Sequence, residues 1–303
     1  NRRKHPWPKT LRYGFQTRKV KIMTPKLFDY ETITYEENAG VAWVTLNRPE
    51  RMNSFNDLMQ KEIRDCWRKL RAHEDVRAVV LTGSGEKAFC TGIDRTEQMG
   101  SEASKESVLG EDATGSPGST PFSFNDPGDN LGPKSCDLWK PVIAAVNGIA
   151  CGGAFYMLGE VEFIIAAQTA TFFDPHVTYG MTASFEPIQM AGRMPFGEIM
   201  RLSLLGNYER LSAQRAYEIG LVSEVVPDDQ LHDAADWAAS TIASQSTLAV
   251  QGTVRALWAA RELSYRQALS LGYAFVGLGT DADSLTEGQK LFESGTRIDP
   301  KLR

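Results

Sequence analysis

Two glycine-containing turns are the segments best suited to chemistry, because each follows a predicted strand and can offer free backbone amides. The first, CTGID at 90–94, contains Gly92, and the second, NGIACGGA at 147–154, contains Gly152 and Gly153. Glycine permits the positive φ and the close backbone approach that such turns need. A helix that begins in a turn also presents unpaired N–H groups with partial positive charge. Converging amides from the two turns would stabilise an oxyanion, and the alternative is a pair of ordinary strand-to-helix turns.

Hydrophobic patterning predicts the elements that hold these turns. Strand-like runs occupy residues 33–36, 41–46, 76–82, 141–146, 163–166 and 171–173. Helical patterns occupy residues 53–73, 199–205, 212–219, 229–244, 248–263 and 265–276. The first two strands form a hairpin, and the later continuous apolar runs are typical of buried parallel strands. Strands alternating with helices, followed by a helical tail, predict an α/β fold. The stretch 101–133, rich in Gly, Ser, Pro and Asp, predicts a mobile surface loop over a site.

The overall composition argues against several other classes of function. The net charge of −5 gives no general attraction to nucleic acid or to anionic membranes. No apolar run is long and continuous enough to insert into a membrane. The four cysteines have no CxxC spacing, which argues against a metal site or a dithiol redox pair. Scattered cysteines without a signal peptide favour a cytoplasmic location.

Short motifs follow one another along the chain in a characteristic order. They are VTLNRP at 44–49 with Asn53, AFCTGID at 88–94, KPVIAAVNG at 140–148, ATF at 170–172, LSAQ at 211–214 with Ala216, GLV at 220–222 and VVP at 225–227. In order and spacing, this series resembles the crotonase (enoyl-CoA hydratase/isomerase) superfamily over residues 28–295. The resemblance implies the crotonase (ClpP-like) fold, an α/β spiral core of ββα units with an α-helical C-terminal region.

The resemblance also implies an acyl-CoA thioester as substrate, with coenzyme A as part of that substrate and no permanently bound cofactor. In this family, two backbone N–H groups from the glycine turns hold the thioester carbonyl, and these fall on Ile93 and Gly153. The family binds CoA with the segment after the LNRP motif and with the start of the first turn. The expected CoA contacts are therefore Arg51, Met52, Ile93 and Asp94. The alternative for Arg51 is a solvated charge in a loop.

Both glutamates of the family's hydratases are missing from their expected positions. Tyr156 occupies the first position, three residues after Gly153, and His176 occupies the second. An ordinary tyrosine titrates near pH 10 and cannot replace a carboxylate base, so hydration by paired glutamates is not expected. His176 can act as an acid or a base near neutral pH. Tyr156 either contacts substrate or packs, and Glu160, one helical turn later, is expected to face the same cavity.

Two acids compete as the partner of His176. Asp174 lies two residues before it and Glu186 ten residues after it. A carboxylate that orients an imidazole and stabilises its charged form is typical of hydrolytic sites. A histidine in this position with a later acid resembles the crotonase-fold β-diketone hydrolases, whose acid would fall on Phe185. A buried histidine with a purely structural role is the alternative for His176.

We therefore predict an acyl-CoA enzyme that stabilises a thioester enolate and uses His176 for C–C hydrolysis, isomerisation or an atypical hydration. An ordinary enoyl-CoA hydratase with relocated acids and a non-catalytic acyl-CoA-binding paralogue are the alternatives. The resemblance also implies a homotrimer or a dimer of trimers. The predicted division is a basic N-terminal extension at 1–27, a crotonase core at 28–225 and a helical oligomerisation region at 226–303. The extension reads either as an upstream remnant or as an arm that docks on a neighbouring subunit.

Overall fold

The computed structural model describes residues 28–96, 126–279, 282–295 and 297–303. The predicted N-terminal extension lies outside the described residues, as does most of the loop predicted at 101–133. No described helix combines the length and the apolar character needed to cross a bilayer. All four cysteines are free and buried.

A six-stranded sheet forms the centre of the described chain. Its strands are, in spatial order, β1 (Ile33–Asn38), β2 (Val41–Leu46), β3 (Ala78–Gly83), β5 (Val142–Val146), β7 (Phe163–Ala167) and β10 (Glu224–Val226). β1 and β2 form the predicted antiparallel hairpin, and the other neighbouring strands pair in parallel. Every residue of β5 is buried, as expected for a parallel strand covered on both faces.

Helices cover both faces of this sheet. On one face, α1 (Asp57–Ala72) buries a stripe that includes Ile63, Trp67 and Leu70 in the main core. The other face is covered by α7 (Leu231–Ala243), whose alanines pack on β3, β5 and β7. The boundary predicted between residues 225 and 226 falls within β10, and the buried alanines of α7 pack in a core cluster with residues of the main sheet.

A second sheet places the two glycine turns side by side. It contains β4 (Ala88–Cys90), β6 (Ile149–Cys151), β8 (Thr171–Phe173) and β9 (Leu211–Ser212), in that order. β4, β6 and β8 run in parallel, so their carboxyl ends lie along one edge. Ligands of open α/β sheets bind at such an edge. The first turn leaves β4 there, the second leaves β6, and the Asp174–His176 segment leaves β8.

The remaining helices are short near the core and longer at the C-terminal end. They are α2 (Gly128–Leu131), α3 (Ala154–Leu158), α4 (Phe185–Met190), α5 (Phe196–Leu205), α6 (Ala213–Glu218), α8 (Thr247–Glu262), α9 (Tyr265–Gly279) and α10 (Ala282–Glu293). α8 and α9 pack against each other. The indole N–H of Trp258 in α8 donates to Glu162 at 2.8 Å, which ties this helical region to the core.

The first helix begins later than its hydrophobic pattern predicts. The pattern starts at Asn53, but the side chain of Asn56 accepts a hydrogen bond from the Met59 N–H and caps a helix that begins at Asp57. Asn53 instead has a φ of +53°. Its buried amide donates to the carbonyls of Ser84 and Ala88, so it fixes the loop before the helix against the neighbouring strands.

Candidate active site

The two glycine turns are in direct contact. Gly92 has a φ of +83° and Gly152 a φ of +54°, conformations that favour glycine. A Cβ atom placed on Gly92 would lie only 3.0 Å from the backbone nitrogen of Gly153 and 3.3 Å from the carbonyl oxygen of Cys151. The absence of a side chain at Gly92 therefore lets the two turns meet.

A local β-bridge orients the amide of Ile93. The N–H of Phe55 donates to the Gly92 carbonyl at 2.9 Å, and the N–H of Asp94 donates to the Phe55 carbonyl at 2.8 Å. Phe55 thus bonds the residues on either side of Ile93. Because successive backbone groups point to opposite sides of an extended segment, the N–H of Ile93 is directed away from Phe55. Among the described residues, no hydrogen bond occupies the N–H of Ile93 or of Gly153.

Both turns line one cavity of about 530 Å³. Ile93 and Gly153 form part of its wall, and His176 lies in the same wall. A Cβ atom placed on Gly152 would lie 3.8 Å from Cε1 of His176, so the imidazole borders the second turn. The two free amides and one titratable ring are therefore accessible to a single ligand.

Asp174 fixes the orientation of the imidazole. It directly follows β8 and is fully buried. One carboxylate oxygen, Oδ1, accepts the backbone N–H of His176 at 3.0 Å and lies 2.5 Å from the ring nitrogen Nδ1. This hydrogen bond raises the pKa of His176 above its ordinary value, although burial opposes the shift. Asp174 therefore places the ring proton on Nδ1 and leaves Nε2 as the nitrogen that gains and loses a proton.

Glu186 approaches the other ring nitrogen. Its Oε1 lies 3.4 Å from Nε2 of His176, and its side chain is buried. Burial raises the pKa of Glu186, while the adjacent imidazole acts in the opposite direction. The structure thus brings both predicted acids to His176, each on a different nitrogen. Asp174 forms the shorter contact, and Glu186 is positioned to exchange a proton with Nε2.

Tyr156 lies near Glu186 but does not line the cavity. It is buried, and its hydroxyl donates to Oδ2 of Asp126 at 3.0 Å. Burial raises the pKa of Tyr156, and the charges of Glu186 and Asp126 add to this effect, so the phenol stays neutral. Glu160 does not face the cavity, contrary to expectation. Its oxygens accept the N–H of Ser135 at 2.7 Å and the hydroxyl of Ser135 at 2.5 Å, which gives it a structural role.

Of the four expected CoA contacts, Ile93 lines the cavity. Arg51 is exposed, and Met52 lies beside the first turn, where its carbonyl accepts the hydroxyl of Thr91 at 3.3 Å. The carboxylate of Asp94 is buried and forms an ion pair with Arg48 at 2.9 Å. Although burial acts to raise it, hydrogen bonds from Thr96 and Arg48 keep the pKa of Asp94 low. Asp94 therefore holds the turn together.

The cavity wall also contains residues that the sequence reasoning missed. Arg95 follows the first turn, and its guanidinium lies 4.7 Å from the ring centroid of Tyr179. Arg210 lies over the Phe173 ring at 4.5 Å. The position of Arg95, two residues after Ile93, was the available signal. Cys151 also lines the cavity, but burial raises the pKa of its thiol to about 12, so it is a protonated wall residue.

Comparisons with known proteins identify the family of this chain. The family model described as enoyl-CoA hydratase/isomerase matches residues 36–294. The (E)-benzylidenesuccinyl-CoA hydratase of Thauera aromatica is 32% identical over 272 residues, which cover 89% of this chain and 98% of that protein. The 1,2-epoxyphenylacetyl-CoA isomerase of Escherichia coli (strain K12) is 35% identical over 222 residues, which cover 72% and 78% of the two chains.

Solved structures give the same result. The crystal structure of an enoyl-CoA hydratase/isomerase from Mycobacterium paratuberculosis superposes with a TM-score of 0.75 at 31% identity, covering 91% of this chain and all 100% of that one. An enoyl-CoA hydratase structure from Bacillus anthracis gives a TM-score of 0.76 at 26% identity, with 88% and 97% coverage. The predicted crotonase fold is confirmed, and the chain belongs to the enoyl-CoA hydratase/isomerase family.

Proposed function

We propose that this protein is an acyl-CoA enzyme that forms a thioester enolate, with the N–H groups of Ile93 and Gly153 on the carbonyl oxygen and His176 as the acid–base group. The observation that carries this proposal is the meeting of two unoccupied amides and one imidazole at a single cavity. The acyl-CoA substrate is supported by the family and by the printed activities of the two relatives.

The proposed chemistry begins with removal of a proton from the carbon next to the thioester carbonyl. Nε2 of neutral His176 accepts the proton, and the C–H electron pair moves onto the carbonyl oxygen. The amides of Ile93 and Gly153 stabilise the resulting charge, and one such donor contributes about 3 kcal/mol to a transition state. Asp174 keeps the Nδ1 proton in place and stabilises the imidazolium that forms. The proton then returns from Nε2 to the same carbon or to another one.

Isomerisation passes through this enolate after removal of the α-proton. C–C hydrolysis reaches the same enolate by another step, in which His176 takes a proton from water, the water oxygen adds to a β-carbonyl carbon, and the bond between the α- and β-carbons breaks with its electrons moving onto the thioester oxygen; the enolate then takes the proton at its α-carbon. We keep both reactions within the proposal. A second candidate is hydration with relocated acids. It is favoured by the 3.4 Å contact between Glu186 and Nε2 of His176, which supplies a carboxyl and an imidazole as an acid–base pair. In that reaction, one group takes a proton from water as it adds to the β-carbon, and the other gives a proton to the α-carbon.

Exchange of the α-protons of butyryl-CoA in deuterated water, followed by NMR, tests the enolate step. We expect the wild-type protein to catalyse this exchange. The exchange rate should fall by about 10²- to 10⁴-fold in His176→Ala, which is the usual contribution of a general acid–base group. His232→Ala is the matched control, because His232 is exposed and stacks on Trp43 outside the cavity. Equal exchange by wild type and His176→Ala would refute the proposed role of His176.

The same preparations separate the alternatives. Tight binding of butyryl-CoA without exchange or turnover would favour a non-catalytic acyl-CoA-binding protein. Rapid formation of 3-hydroxybutyryl-CoA from crotonyl-CoA, lost in Glu186→Gln, would favour the relocated hydratase.

We also propose that the C-terminal helices carry an oligomer interface. α8, α9 and α10 expose large apolar side chains, including Leu257, Tyr273 and Phe292, and an apolar surface of this kind is typical of a protein contact. Light scattering should give the mass of three or six chains. A monomer at micromolar concentration would contradict this.

A further inference from the structure

The cavity wall is positively charged. It includes Arg95 and Arg210 together with His176, and none of its described lining residues is an aspartate or a glutamate. Arg95 has only weak neutral partners within the described chain. Its guanidinium donates to Sδ of Met181 at 3.2 Å and lies over the ring of Tyr179.

The described acids beside the first turn and beside His176 pair with other groups. Asp94, the neighbour of Arg95 in sequence, pairs with Arg48 at 2.9 Å. Asp174 binds His176 at 2.5 Å, and Glu186 lies on the opposite nitrogen of the same ring. The charge of Arg95 is therefore not matched by a described carboxylate. A guanidinium presents a planar fork of N–H donors that suits the two oxygens of a carboxylate or of a phosphate.

The position of Arg95 favours a carboxylate on the acyl group. Arg95 lies two residues after Ile93 and lines the same cavity as Ile93 and His176, which places it at the reacting end of that cavity. The phosphates of CoA are separated from the thioester carbonyl by the whole pantetheine arm. An anion close to both the first turn and His176 therefore belongs to the acyl side of the thioester.

We propose that Arg95 binds a second carboxylate on the acyl group, so that the substrate is the CoA monothioester of a dicarboxylic acid. This inference rests on the proposed function, because it places the thioester carbonyl at the amides of Ile93 and Gly153. Tyr179 supports the guanidinium from one face and leaves its N–H edge available. Arg95 is thereby a specificity-determining residue for the acyl group.

Dissociation constants of glutaryl-CoA and pentanoyl-CoA, measured by calorimetry, test this proposal. The two acyl chains have the same length, but glutaryl ends in a carboxylate where pentanoyl ends in a methyl group. We expect wild type to bind glutaryl-CoA about tenfold more tightly, as for a charge-assisted hydrogen bond. Arg95→Gln should abolish this preference while pentanoyl-CoA binding changes less than about twofold. Arg95→Lys should keep part of it, and Arg64→Gln, an exposed arginine on α1, should keep all of it.

Pantetheine thioesters of the same two acids distinguish the source of the anion, because they have no phosphate. The preference for glutarate should persist with them. If Arg95→Gln weakens both CoA thioesters equally and affects neither pantetheine thioester, Arg95 binds a CoA phosphate and the inference is overturned. Equal wild-type affinity for glutaryl-CoA and pentanoyl-CoA also overturns it and leaves the proposed function intact. Failure to bind any thioester contradicts the proposed function itself, and the inference falls with it.

Discussion

Replacing Gly92 by alanine should block the contact between the two glycine turns. The added Cβ would lie 3.0 Å from the Gly153 nitrogen and 3.3 Å from the Cys151 carbonyl oxygen. Both neighbours are backbone atoms of a buried turn, so they cannot rotate away as a flexible side chain would. The turns must separate by a few tenths of an ångström. Oxyanion donors act over a narrow distance range of about 2.7–3.1 Å. The amide of Gly153 should therefore lose its hydrogen bond to the thioester carbonyl oxygen.

Gly220→Ala separates this effect from backbone strain. Gly220 has the same φ of +83° as Gly92, but a Cβ placed on it would meet no atom within 4 Å. Both variants carry the cost of a left-handed alanine, about 1 kcal/mol of the free energy of unfolding. Only Gly92→Ala disturbs the candidate oxyanion site. Loss of one donor costs about 3 kcal/mol, so its rate should fall by about 10²-fold or more, while Gly220→Ala keeps near wild-type activity.

The α-proton exchange of butyryl-CoA provides the rate, and urea unfolding provides the stability of each variant. Exchange should be compared where each variant is fully folded. Comparable exchange rates for Gly92→Ala and Gly220→Ala would refute the assignment of the Gly153 amide as an oxyanion donor. A large loss in both would show that backbone strain alone explains the effect.

Three further predictions follow from contacts of the site. In Asp174→Asn, the loss of the carboxylate that favours the charged imidazole should lower the pKa of His176, so the midpoint of exchange against pH moves to lower pH while the plateau rate falls. Tyr156→Phe removes the 3.0 Å hydrogen bond to Asp126 and should reduce the free energy of unfolding by about 1 kcal/mol, with exchange changed only a few-fold; a hundredfold loss would instead place the phenol on the substrate. Asn53→Ala removes the hydrogen bonds of the Asn53 side chain to the Ser84 and Ala88 carbonyls and from the Arg48 N–H, and should cost about 2–4 kcal/mol in urea unfolding; a loss below about 0.5 kcal/mol would contradict its role in holding the loop.

The main sheet could be predicted because its strands are buried on both faces. β3 and β5 appear in the sequence as continuous apolar runs, and the stripe of α1 has a clear helical period. The second sheet could not be predicted fully. β6 and β9 have three and two residues, which is too short for a period to develop. Their pairing depends on tertiary packing around the glycine turns.

The sequence predicted which residues form the candidate site, but not which of them contact one another. Asp174 and Glu186 were rivals in sequence, and the fold brings both to His176 because the chain turns back between β8 and α4. Arg95 was missed for a different reason. A single charged residue after a turn is usually solvated, so the position of Arg95 two residues after Ile93 was a weak signal. The packing of Tyr179 and Met181 beside Arg95 identifies it as a residue of the cavity wall.

The carbonyl stretch of bound butyryl-CoA, labelled with ¹³C at the thioester carbon, most directly tests whether the amides of Ile93 and Gly153 hold this oxygen. Two hydrogen bonds to the oxygen should weaken the C=O bond, so isotope-edited infrared spectra should show a lower frequency in the wild-type complex than in water. Gly220→Ala should keep this shift, and Gly92→Ala should lose most of it. A bound carbonyl with the frequency of the free thioester, under conditions where binding is saturated, would contradict the proposed oxyanion site.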